Sequence, residues 1–110
     1  MRTEKLIKLI KKTNVTSREL KEINKSHMLY GLISEVGEIA GVHQRFMRGD
    51  YGKDKAMKRL KLELGDVMYY LFGYINALGL DEQEIYDLLE KKLLERQAKN
   101  TIKGENRDEN

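Results

Sequence analysis

Not one proline interrupts the 110 residues of this chain, and only nine are glycine. Proline lacks the amide hydrogen that a helix interior uses, and its ring clashes with the preceding turn. A chain without it is free to run long helices, and its apolar residues recur at three and four positions, as helices require. Leu6, Ile7, Leu9 and Ile10 predict a short first helix ending near Asn14. Thr16 followed by Glu19 fits a capping box, which predicts a second short helical piece over residues 17–23. A long helix is expected from Ser26, as its N-cap, to Met47, stopping at Arg48-Gly49-Asp50. The string RGDYGKD reads as a loop. A third helix is expected over 53–78, closed by Gly79, and a fourth from the cap residue Asp81 to about Lys99. The polar tail over 101–110 reads as frayed. No segment alternates strictly enough for a strand. The expected fold is all-α, a single domain over 1–100 with about four main helices.

Composition narrows the chemistry. Hydrophobic residues make up 40% and charged residues 35%, enough for a packed interior. The absence of cysteine excludes disulfides, thiolate metal sites and cysteine nucleophiles. No apolar run reaches the roughly 18 residues of a membrane span, and MRTEKLIKLIKK has no signal-peptide core, so a cytoplasmic location is expected. Residues 1–25 hold eight Lys/Arg against three Glu, a net of +5, and the other 85 carry −2. That basic stretch lacks interleaved aromatics, so it reads as a solvated helix face rather than a nucleic-acid contact.

The informative residues are acids on packing faces. The long second helix has an apolar arc of Met28, Leu29, Leu32, Ile33, Val36, Ile39, Ala40, Val42, Phe46 and Met47. Glu35 falls inside that arc and Glu38 at its edge. The third helix repeats the pattern, with Met57, Leu60, Leu64, Val67, Met68, Leu71, Phe72, Ile75 and Leu78 as its arc. There Glu63 lies in the flank marked by Tyr70 and Tyr74, and Asp66 at the margin. Burying an ionised carboxylate costs several kcal/mol unless it is compensated, and four together repel one another. Glycines inside Glu35-Val36-Gly37-Glu38 and Glu63-Leu64-Gly65-Asp66 predict close helix approach at Gly37 and Gly65. Divalent cations are the simplest compensation, and oxygen-only ligands point to Mg2+ or Mn2+.

Blander readings compete at each position. A single acidic pair on an amphipathic helix usually meets a neighbouring Lys or Arg, but two matching pairs are harder to account for in that way. Tyr70 and Tyr74 read as core-margin aromatics before a base contact. His27 and His43 have no ligand spacing. Di-iron bundles pair Glu with a His three residues on, but Asn24 and Ala40 stand at those places, which eliminates that chemistry.

Glu-x-x-Glu, a gap of 24 residues, then Glu-x-x-Asp on consecutive helices resembles the MazG-like all-α nucleoside triphosphate pyrophosphohydrolases. The strings LISEVGEIAG and LELGDVMYYLFGYINALGLD resemble that family's motif surroundings, and the likeness covers roughly 27–96. The resemblance implies a helical subunit completed as a homodimer or homotetramer. It also implies Mg2+, with Mn2+ as a substitute, bound by Glu35, Glu38, Glu63 and Asp66. Cleavage between the α- and β-phosphates of a (d)NTP would give the monophosphate and pyrophosphate, a reaction suited to nucleotide-pool housecleaning. Lys92 and Arg96 match a Lys-x-x-x-Arg that contacts phosphates, and Tyr70 and Tyr74 are candidate base contacts. The chain departs from the family where Glu90 and Lys91 replace an asparagine and Gln97 an aromatic, which bears on substrate identity. The alternative is a MazG-like helical module that holds a nucleotide or partner with little turnover.

Overall fold

The computed structural model describes residues 2–13 and 21–99, and among them every regular element is helical, with no strand. The order is α1 (Arg2–Thr13), α2 (Lys21–Met47), α3 (Lys53–Ala77) and α4 (Glu82–Ala98). One compact unit, Met1–Gly79, holds α1 to α3, and a second, Leu80–Asn110, holds α4.

Local chemistry ends the helices where the sequence predicts. Gly49, with φ +81°, and Gly79, with φ +73°, take the left-handed conformation that lets the chain leave α2 and α3. Asp81 caps α4, its Oδ1 accepting from the Gln83 amide at 3.1 Å. Thr13 closes α1 by donating its hydroxyl to the Leu9 carbonyl at 2.9 Å.

The start of α2 differs. The helix covers Lys21–Met47, so Ser26 is an exposed interior residue, not an N-cap. Residues 21–23 belong to α2 rather than to a separate piece, and the Thr16–Glu19 capping box lies outside the described residues, as does the tail over 101–110. The physical reason is Asn24. The inward stripe of α2 runs through Asn24, Met28, Gly31, Leu32, Glu35, Ile39 and Val42, all buried or half-buried. Its first member is polar, so hydrophobic spacing alone does not extend the helix that far back.

The helices α2 and α3 form an antiparallel pair, and α1 packs on α3. Near the turn Val42 and Phe46 face Ala56 and Leu60 around a cavity of about 180 Å3. At the open end Met28 meets Gly73, where an added methyl group would stand 2.7 Å from the Met28 sulfur. Between these points the ring of Tyr70 lies directly against Gly31. The close approaches are thus made by Gly31 and Gly73. Gly37 and Gly65 have nothing within 4 Å of their missing side chains, which corrects the expectation that they bring the helices together. They sit beside the inward stripes, not on them.

Among the described residues the buried apolar core is small: Ile7, Ile10, Met28, Val42, Ala56 and Ile75. Much of each expected apolar arc lies outside it. On α2, Ile33 is 61% exposed and Met47 84%, and on α3 Met57, Leu64, Met68 and Leu71 are all exposed. Among the described residues no helix is long and apolar enough to cross a membrane.

Candidate metal centre

Glu35 occupies the inward stripe of α2, and Glu63 the inward stripe of α3 between Leu60 and Val67. The antiparallel packing brings these two positions level. Asp66, one turn beyond Glu63 on the exposed flank, completes a trio with one carboxylate oxygen from each residue, all within 4.8 Å of one another. Opposite ligands of a Mg2+ ion stand about 4.2 Å apart, so this set lies within a small side-chain adjustment of a shared ion. Glu38 is exposed and falls outside the trio, although its charge reaches Glu35.

The electrostatics show what the trio lacks. The Glu35 carboxyl is pushed up from 4.5 to about 7, first by its hydrogen bond with Glu63, then by burial, then by the charges of Asp66, Glu63 and Glu38. Glu63 Oε2 is shut off from solvent with no hydrogen-bond partner. With both acids ionised no donor is available, so the chain's own remedy is a proton held between Glu35 and Glu63. A hard cation supplies the same positive charge to three oxygens at once, which is why this donor set fits Mg2+ or Mn2+.

The other predicted residues lie elsewhere. Tyr70 and Tyr74 are half-buried on the α3 stripe that carries Glu63. The Tyr70 ring meets Tyr69 edge-on at 5.3 Å and His27 at 6.2 Å. Lys92, exposed, and Arg96, half-buried, stand one turn apart on α4 in the second unit. The sequence reading missed Asn24, whose Oδ1 is also buried without a hydrogen-bond partner. Its signal was its spacing from Met28 and Gly31, not its residue type. It lies about 16 Å along α2 from Glu35, too far to join the trio. No protein-family model, curated protein or solved structure matches the chain.

Proposed function

We propose that this chain is a Mg2+-dependent nucleoside triphosphate pyrophosphohydrolase of the MazG-like kind, converting a (d)NTP to the monophosphate and pyrophosphate. The observation that carries the reading is the convergence of Glu35, Glu63 and Asp66 within 4.8 Å around a solvent-shut, unpartnered Glu63 oxygen. Structural acids on amphipathic helices meet Lys or Arg, whereas these meet one another. Glu35, Glu63 and Asp66 would hold the cation. The chemistry the cation supplies, when bound, is neutralised phosphate charge and a lowered pKa for an attacking water. Glu38, exposed one turn beyond Glu35, would orient water arriving from solvent and take its proton. Lys92 and Arg96 are the phosphate contacts the family likeness suggests, and Tyr70 and Tyr74 are the candidate base contacts.

The reading includes self-association in the cytoplasm. The small core and the exposed apolar flanks of α2 and α3 leave surface that a second copy would cover. Incubation with each NTP and dNTP plus Mg2+, followed by product separation, tests the activity. Monophosphate plus pyrophosphate is expected, and EDTA should abolish both. Diphosphate plus orthophosphate, or full activity in excess EDTA, would refute the reading. Metal-dependent nucleotide binding without turnover would establish the binding module in its place.

A further inference from the structure

Residues 53–61, at the start of α3, carry Lys53, Lys55, Lys58, Arg59 and Lys61 against one acid, Asp54. Lys55, Lys58 and Arg59 line a groove of about 510 Å3 together with Asp54 and Leu62. That size is ordinary for a small-ligand cleft, and three of its five lining residues are cations. Arg59 stands one turn before Glu63, a spacing that puts their Cβ atoms about 6 Å apart. Yet among the described residues Lys55, Lys58 and Arg59 form no ion pair, and Glu63 keeps Oε2 without a partner. Unpaired cations and unpaired acids therefore adjoin on one helix without neutralising each other.

Neighbouring residues hold this arrangement. The Lys55 Nζ sits 5.4 Å from the centre of the Tyr51 ring. Tyr51 in turn donates its hydroxyl to the Val42 carbonyl at 3.4 Å, tying the turn to α2. From α2, Arg45 folds back along its own helix, with Nη1 3.6 Å from where a Gly41 side chain would begin. Positions 38, 41 and 45 share a face, so Arg45 lies on the flank of α2 that carries Glu38.

We propose that the groove holds the distal phosphates of a polyphosphate chain whose other end meets the acidic centre. Arg59 stands beside the acids, and Lys55 and Lys58 lie beyond it. The occupant of the centre rests on the pyrophosphohydrolase reading, whereas the groove itself rests on α3. Lys55 and Glu63 are separated by about 12 Å of helix, a span that suits an extended anion rather than a single ion. A guanidinium can grip a phosphate with two hydrogen bonds, which a lysine cannot. The groove has no aromatic lining, so it offers no platform for the stacked bases of single-stranded nucleic acid.

Isothermal titration of inorganic tripolyphosphate in Mg2+, at fixed ionic strength, tests the assignment on wild type, Arg59→Ala, Arg59→Lys and Lys61→Ala. Lys61→Ala removes the same charge from the same stretch of α3 but does not line the groove. Both positions of change are exposed and alanine favours helix, so folding is not at issue. Arg59→Ala should weaken binding about tenfold or more, Arg59→Lys less, and Lys61→Ala by under about twofold. Equal affinity in wild type and Arg59→Ala, an equal loss in Lys61→Ala, or no binding by wild type overturns the groove. Nucleotide hydrolysis measured in parallel separates the two ideas. A wild type without turnover that still binds tripolyphosphate through Arg59 retires the catalytic reading and keeps the groove. Turnover with wild-type KM in Arg59→Ala retires the groove alone.

Discussion

Glu63→Gln probes the acidic centre through stability, independently of turnover. In the folded chain Glu35 titrates at about 7 in place of 4.5, with the hydrogen bond to Glu63 as the largest cause. Between those values the folded state holds a proton that the unfolded chain has released. The stability this proton contributes is complete below the unfolded value and is lost as pH rises through the folded one. For a sealed carboxyl such a shift corresponds to about 3 kcal/mol. Glu35 is only half-buried and Asp66 is exposed, so solvent screening brings the figure to about 1–2 kcal/mol. Glutamine at 63 removes one charge and brings an amide donor to the ionised Glu35. At pH 8 in EDTA the variant should therefore melt above wild type by about 1–2 kcal/mol, roughly 5–10 °C for a domain of this size. At pH 5, where Glu35 is already protonated, the advantage should shrink toward zero. Mn2+ at a hundredfold excess over Kd should stabilise wild type by about 2.7 kcal/mol and the variant much less. The assay is a set of thermal melts at pH 5 and 8, with EDTA or Mn2+, at one protein concentration. A variant that melts below wild type at pH 8, with neither protein responding to Mn2+, would show that Glu63 makes an ordinary ion pair.

Other substitutions check the packing and the remaining assignments. Gly31→Ala drives a methyl group into the Tyr70 ring and should cost about 1–3 kcal/mol, whereas Gly37→Ala, in open space, should gain about 0.5–1 kcal/mol in denaturant melts. Lys92→Ala and Arg96→Ala should lower kcat/KM about ten- to a hundredfold while leaving the Mn2+ stabilisation intact, and wild-type kinetics would refute the pair as phosphate contacts. Light scattering should give a multiple of the 12.9 kDa chain mass at micromolar concentration, and a monomer would contradict the proposed covering of the exposed α2 and α3 flanks.

What the sequence makes legible divides along physical lines. Helix ends at Gly49, Gly79 and Asp81 are set by chemistry within a few residues, so the chain shows them directly. The intrusion of Glu35 and Glu63 into their packing faces is a property of one helix at a time, and a helical wheel finds it. How two helices face each other is not. Gly37 and Gly65 look equivalent to contact glycines in the string, yet Gly31 and Gly73 make the contacts. The same limit explains why Asp66, at the margin of its wheel, joins the trio while Glu38, at the corresponding margin, does not. Asn24 hid the start of α2 because a polar residue occupies an inward position.

The antiparallel pair also has a folding order written into it. The turn over 48–52 is short, and Arg48 and Asp50 brace it with a 2.7 Å ion pair. Closing a short loop is the least demanding entropic step, so α2 and α3 are expected to zip outward from it, Val42 meeting Ala56 first and Met28 meeting Gly73 last. Glu35 and Glu63 come together midway, before the open end is secured. Repulsion at that point is a kinetic hurdle set inside the zipper, lowered by a shared proton or by a cation. Refolding should therefore accelerate as pH falls from 8 to 5, with the change confined to the folding limb of the chevron if the centre is formed in the transition state.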